Sequence, residues 1–214
     1  MSRNRHCEII PGHITKRRKD GIMKTSLGAK TAVYPSPVFV IGTYDKAGKP
    51  NVMTAAWCGI CCSKPPAVGI SLRKATYTYG NLMERQCFTV NIPSEIHLKE
   101  VDYFGIASGK NEDKIAATRL TAVRAEFVDA PFIEEFPIIL ECKVLHTIEI
   151  GLHTQFIGEI IDVKADHSVL DEKGQPDIKS LRPFCYDHLN SSYYGTATYL
   201  GKSHSIGRAF LKQG

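Results

Sequence analysis

The chain has 214 residues, 43% of them hydrophobic and 23% charged, enough to bury a core and short for two independent domains. Its 27 Lys and Arg against 22 Asp and Glu give a formal charge of +5, which taken globally raises nucleic acid or an acidic membrane as partner. The excess is local: residues 1–24 hold seven basic and two acidic side chains, leaving 20 of each sign in the rest, so no nucleic-acid partner is expected. No apolar run approaches the roughly 18 to 20 residues of a membrane span, and no secretory signal opens the chain. Seven cysteines, three of them clustered at Cys58, Cys61 and Cys62, make no extracellular disulfide framework. The expectation is a soluble cytoplasmic protein without a membrane partner. Residues 1–24 are expected to be a basic arm, disordered or an extension, ahead of one domain over 25–214.

In chain order, Val38 to Ile41 is a β-branched and aromatic run that predicts a strand, followed by a hairpin turn over Tyr44 to Asn51. Further short strands are predicted at Val52 to Trp57, Ala67 to Leu72 and Phe88 to Ile92, with one helix over Thr76 to Glu84. Residues 94–119 predict the main helical insert, capped by Ser94, interrupted at Ser108-Gly109 and resumed from Asn111. Two long strands follow, Ile138 to Ile150 and Leu152 to Val163, with Gly151 at their turn; Ser205 to Lys212 predicts a closing helix. Strands in succession with helices as inserts predict a mainly β fold, a Greek-key barrel more than a doubly wound sheet.

Nucleotide-loop patterns fail. Gly105 to Lys110 has three residues between its glycines where a P-loop has four, and no Gly-x-Gly-x-x-Gly occurs. Cys58-Gly59-Ile60-Cys61-Cys62 offers half of a zinc site, a redox dithiol, or small residues in a core or lining a cofactor. The last is favoured, because no orthodox set of four metal ligands can be completed, and no metal is expected. Thr54-Ala55-Ala56-Trp57 puts small and polar residues on a strand that a flat heterocycle can approach. Ser71 to Thr78 then supplies Arg73, Lys74 and several hydroxyls where a strand ends and a helix starts. A phosphate monoester dianion suits that set, as do plain surface charges.

Together these pieces resemble the flavin reductase-like family, and within it the flavoredoxin-type FMN proteins. The resemblance is carried by Tyr34-Pro35-x-Pro37-Val38, Gly48-Lys49-Pro50-Asn51, Pro65-Pro66, Phe88 to Pro93, Tyr103-Phe104-Gly105 with Ser108-Gly109 and Asp113-Lys114, and His153-Thr154-x-Phe156-Ile157-Gly158-Glu159. It covers about residues 25–212 and rests on their order and spacing. It implies a split β-barrel homodimer with FMN near the subunit interface. Thr54, Ala55, Ala56, Trp57 and Cys58 would line the isoalloxazine, with Ile60, Cys61 and Cys62 near its ribityl chain or ring edge. Ser71, Arg73, Lys74, Thr76, Thr78 and Asn81 would hold the phosphate end.

His153 takes the place of the family's nicotinamide-side histidine, while Leu152 replaces the acidic residue before it, which weakens the case for nicotinamide. The resemblance therefore implies an FMN-dependent oxidoreductase reduced by NADH or NADPH, with His153 orienting the nicotinamide or relaying a proton. Electrons would pass to free flavin or another acceptor. The alternative is an electron carrier that works with redox protein partners, and His153 could also be a histidine satisfied within the sheet.

Overall fold

The computed structural model describes residues 24–210 and divides the chain into two compact units, residues 1–33 and 34–214. In the first unit, residues 24–33 form no helix or strand and are exposed; the rest of the expected basic arm lies outside the described residues. The second unit opens with β1 (Ser36–Pro37), β2 (Phe39–Tyr44), β3 (Pro50–Ala55), β4 (Cys58–Ser63), β5 (Pro66–Arg73), α1 (Tyr77–Arg85) and β6 (Cys87–Ile92). The helical insert is a 3-10 turn at Glu95–His97, then α2 (Leu98–Ile106) and α3 (Lys114–Thr118). After it come β7 (Ala122–Arg124), β8 (Pro131–Ile133), β9 (Ile138–Ile150), β10 (His153–Ala165), α4 (Ile178–Leu181), β11 (Phe184–Asp187) and β12 (Ser192–Gly195).

Seven strands form one antiparallel sheet in the order β3-β2-β6-β9-β10-β5-β4. The two edges of that sheet, β3 and β4, are consecutive in sequence and joined only by Ala56 and Trp57. Two residues span at most about 7 Å, so the sheet must curl until its edges nearly meet. The result is the mainly β split barrel that the sequence predicts. A smaller sheet, β1-β11-β12, and the hairpin β7-β8 complete it.

The strand period places alternate side chains in different cores. Ile41, Val68, Ile70, Phe88, Val90 and Phe156 pack in one. Val40, Val52, Val101, Phe104, Ile139 and Phe184 pack in the other, between the sheet, α2 and the small sheet. At the centre of the first, a Cβ on Gly158 would lie 2.6 Å from the Phe88 ring, so glycine there makes room for the aromatic. The turn after β2 is set by Asp45, whose carboxylate accepts the amides of Ala47 and Lys49 at 2.9 and 2.8 Å, while Gly48 takes φ +81°. Asp45 also accepts the Tyr77 hydroxyl at 2.8 Å, tying that turn to the start of α1.

Among the described residues, Glu141 is a carboxylate fully buried in the core. Burial pushes its carboxyl up, but Lys164 at 2.7 Å and the amides of Phe127 and Glu126 outweigh it and hold the group below its ordinary range.

Several boundaries differ from those read off the sequence. Ser94 makes no side-chain cap and precedes the 3-10 turn; the resumed helix begins only at Lys114, where Asp113 accepts the Ala116 amide at 3.1 Å. Cys58–Ser63, assigned to no strand from the sequence, is itself a strand because β5 offers it a partner, with one register shift between Ile60 and Cys62. The closing helix is a 3-10 segment, Ile206–Phe210. No helix among the described residues is long and apolar enough to cross a membrane. Removal of the Phe88 ring should be felt throughout the first core: Phe88→Ala is expected to lose about 3–5 kcal/mol in urea unfolding.

Candidate functional site

Beside the free edge of β3 lies a cleft of about 650 Å³. One wall is the end of β3 and its exit, Thr54 to Trp57; the facing wall is Ser71 to Arg73 at the end of β5 with Leu152 and His153 at the start of β10. Gly105 and Ile106, at the end of α2, and Tyr186 and Tyr193 of the small sheet line it too. An adjoining chamber of about 290 Å³ shares Met53, Arg73 and Thr76 with it and is floored by Asn51, Thr78 and Lys114.

Register explains how distant residues converge. Arg73 is the strand partner of His153, and Ser71 donates its amide to the Trp57 carbonyl at 2.8 Å. Three loci far apart in sequence are thereby fixed side by side. Thr76 caps α1: its hydroxyl donates to the Arg73 carbonyl at 2.9 Å and accepts the Tyr79 amide at 3.3 Å. The first turn of that helix presents its amides and partial positive charge beside Arg73. Lys74 is held by Glu149 at 2.7 Å, a hydrogen bond that pushes its ammonium up. Arg73 has no salt bridge among the described residues. The cleft and the chamber thus share one uncommitted guanidinium.

At the mouth, four rings run in a line. Trp57, 41% exposed, lies nearly parallel to His153 with centroids 6.1 Å apart and meets His188 at 5.3 Å. His188 stacks on Tyr34 at 5.4 Å, and the Tyr34 hydroxyl donates to Asp187 at 2.7 Å, which pushes that phenol up. On the opposite wall Tyr193 donates to Asp102 at 2.9 Å; burial first and this carboxylate second push its phenol up.

The structure brings Thr54, Ala55, Ala56, Trp57, Ser71, Arg73, Thr76 and His153 to the cleft. It places the other sequence candidates elsewhere. The Thr54 hydroxyl is already spent on the Val101 carbonyl, so only its backbone and methyl face the cleft as free surface. Thr78 is buried with its hydroxyl accepting from Asn51 at 2.9 Å and borders only the chamber. Asn81 is buried under α1, donating to Thr43 at 3.1 Å. Cys58 packs against the first core, where burial pushes its thiol up to about 12. Ile60, Cys61 and Cys62 are exposed along β4, which has a register shift between Ile60 and Cys62, and none of the three lines the cleft.

Sequence reasoning missed Asp102, Tyr186 and Tyr193. Tyr186 and Tyr193 sit on short strands of the small sheet that no long β-prone run announced, and Asp102 looks like any surface acid of a charged helix. It also missed Lys114, a buried ammonium that donates to the Phe104 and Ala107 carbonyls at 3.1 and 3.2 Å. These belong to the C-terminal end of α2, which favours a cation, and they hold Gly105 and Ile106 against the cleft. Among the described residues no group of three or more His, Cys, Asp or Glu side chains is arranged to hold a metal ion.

Burial lowers the Lys114 ammonium to about 8. Between there and the ordinary lysine range the unfolded chain binds more protons at this site than the folded one, so the Lys114 contribution to stability rises with pH from about 8 to about 10, while the buried thiols of Cys58 and Cys142, pushed up to about 12, contribute the opposite slope. Chemical unfolding across that window is expected to show the free-energy difference between wild type and Lys114→Met shifting in favour of the wild type as pH rises, because the thiol contribution is common to both.

A family model described as "Flavin reductase like domain" matches residues 31–193. A curated relative from Archaeoglobus fulgidus, itself uncharacterized, is 36% identical over 146 residues, covering 68% of this chain and 80% of the relative. Among solved structures, the flavoredoxin of Desulfovibrio vulgaris (Miyazaki F) matches with a TM-score of 0.83 at 52% identity, covering 86% of this chain and 100% of that one. The flavoredoxin from Methanosarcina acetivorans matches with a TM-score of 0.83 at 31% identity, covering 89% and 100%.

Proposed function

The chain belongs to the flavin reductase like domain family, and from that membership we propose that its cleft holds FMN and that it is an NAD(P)H-dependent FMN oxidoreductase. The observation that carries the FMN assignment is Arg73, uncommitted at the junction of cleft and chamber beside the capped first turn of α1. A guanidinium with free helix amides is the donor set a phosphate monoester dianion needs. The strand exit supports the other end of the molecule, since the small side chains of Ala55 and Ala56 allow a flat ring close to the backbone.

Bound FMN supplies the redox chemistry, taking hydride or single electrons. The protein's part is position. Arg73 and the first-turn amides of the helix that Thr76 caps would anchor the phosphate, the Ala55 to Trp57 backbone would orient the ring, and the Trp57–His153 stack borders the face where nicotinamide would lie. His153 orients that nicotinamide or carries a proton. Electrons then go to free flavin or another acceptor. In this reading residues 25–214 are the flavin-binding body, and two copies associate as a homodimer.

One observation favours a second reading, an electron carrier acting with redox protein partners. Leu152 stands 64% exposed beside His153 where an acidic residue would help to seat nicotinamide, and the nearby Lys74 is taken by Glu149, which leaves little cationic surface for a dinucleotide's phosphates. The likeness to the two flavoredoxins, at 52% and 31% identity, agrees with it.

The purified protein is expected to be yellow, and Arg73→Ala to weaken FMN binding by about ten-fold or more, as loss of a charge-assisted contact predicts. A colourless protein that ignores added FMN in fluorescence titration would overturn both readings. Anaerobic mixing with NADH and NADPH separates them: rapid bleaching, slowed in His153→Ala, is expected for the reductase, and inertness with flavin retained for the carrier.

A further inference from the structure

We propose that Asp102, held by Tyr193, sets the reduction potential of the flavin in the cleft by opposing the negative charge that reduction puts on the ring. This role rests on the FMN reading of the cleft.

Charge is unevenly placed there. Among the described residues that line the cleft, Arg73 is the one permanent cation and Asp102 the one acid. They stand at different ends. Arg73 borders both the cleft and the adjoining chamber, whereas Asp102 borders the cleft alone. Within α2, Asp102 comes about one turn before Gly105 and Ile106, which border both, a separation of roughly 5 Å along the axis.

The packing of that turn puts it next to the strand exit. The Thr54 hydroxyl donates to the carbonyl of Val101, the residue before Asp102, and a Cβ on Gly105 would meet the Thr54 side chain at 3.6 Å. Thr54 leads directly into Ala55, Ala56 and Trp57, the backbone assigned to the ring. The acid therefore belongs to the ring half of the cleft and the guanidinium to the phosphate half.

A carboxylate is a costly lining for a site that takes an anion. Asp102 has no salt bridge among the described residues and accepts the Tyr193 hydroxyl at 2.9 Å. Burial first and this carboxylate second push that phenol up, so Tyr193 stays a hydrogen-bond donor. A tie between α2 and the small sheet needs no charge, since an asparagine carbonyl would accept the same hydroxyl. A full negative charge matters only to a ligand whose own charge changes.

Reduction changes it. The oxidised ring takes two electrons and one proton, as hydride from a donor, and gains one negative charge that a second proton from solvent cancels. A fixed carboxylate beside the ring disfavours the charged product and so favours the oxidised form. The Tyr193 hydrogen bond draws density from the carboxylate and moderates that effect.

The test is a spectroscopic redox titration of the flavin-loaded, full-length protein against a reference dye at neutral pH. Asp102→Asn keeps the size and the acceptor, and is expected to shift the equilibrium toward reduced flavin at least ten-fold, a midpoint about 30 mV more positive for two electrons. Tyr193→Phe is expected to shift it the other way, and to do nothing in the Asp102→Asn background. Either single variant decides the matter if the other loses its fold. A merely structural tie would move neither potential, or both in one direction. With flavin bound, equal potentials, a negative shift in Asp102→Asn, or a Tyr193→Phe shift that persists in the Asn background overturns the role of Asp102 alone. A protein that holds no flavin defeats the FMN reading and this role with it.

Discussion

Everything about the site follows from the shortness of one connection. Ala56 and Trp57 alone join β3 to β4, and those strands are the two edges of a seven-stranded sheet. A longer loop would let the sheet stay open; two residues force it to close on itself. Closure is incomplete, because β3 and β4 do not hydrogen-bond to each other. The cleft opens on the β3 side of that gap, lined by Met53, Thr54 and Ala55 but by no residue of β4. β3 pairs with β2 alone, so its other edge carries no ladder and its backbone groups there can meet a ligand.

The cores explain why so few polar residues suffice. β2 is buried on both faces, Ile41 toward one core and Val40 toward the other, so the sheet near the cleft is fixed by packing and not by its loops. Polar groups placed under it act as struts. Asp45 ties the first hairpin turn to Tyr77, Asn81 ties α1 to Thr43, and Lys114 ties the end of α2 to the start of α3. Each strut lies behind a lining residue, which is how hydroxyls and amides that look like ligands in the sequence come to be structural.

That distinction decides what was legible beforehand. Period and turn chemistry revealed the long strands β9 and β10 and the capped helix after Arg73, because those signals are local. Arg73 and His153 were both legible as chemistry, yet their adjacency depends on the register between β5 and β10, which no local pattern carries. Thr78 and Asn81 look like ligands in the sequence because nothing local shows which side chains a helix turns inward; here they are buried on Asn51 and Thr43, Thr78 bordering only the chamber. Ile60 to Cys62 follow the cleft strand in sequence but run along the outer edge strand β4, away from the cleft lining. Tyr186 and Tyr193 went unseen because strands of four residues leave almost no periodic trace.

The wall that carries Tyr186 and Tyr193 has a mechanical consequence. It belongs to the sheet β1-β11-β12, which shares no strand ladder with the barrel; it is joined to the rest by apolar packing, by the Tyr193–Asp102 hydrogen bond and by the Arg182–Glu95 ion pair just before β11, and Val38 alone separates its β1 from β2. The two walls of the cleft are therefore built by different means: one is set by strand register, the other by side-chain packing and a few polar ties, so a substitution among those ties acts on one wall without breaking a rung of the barrel.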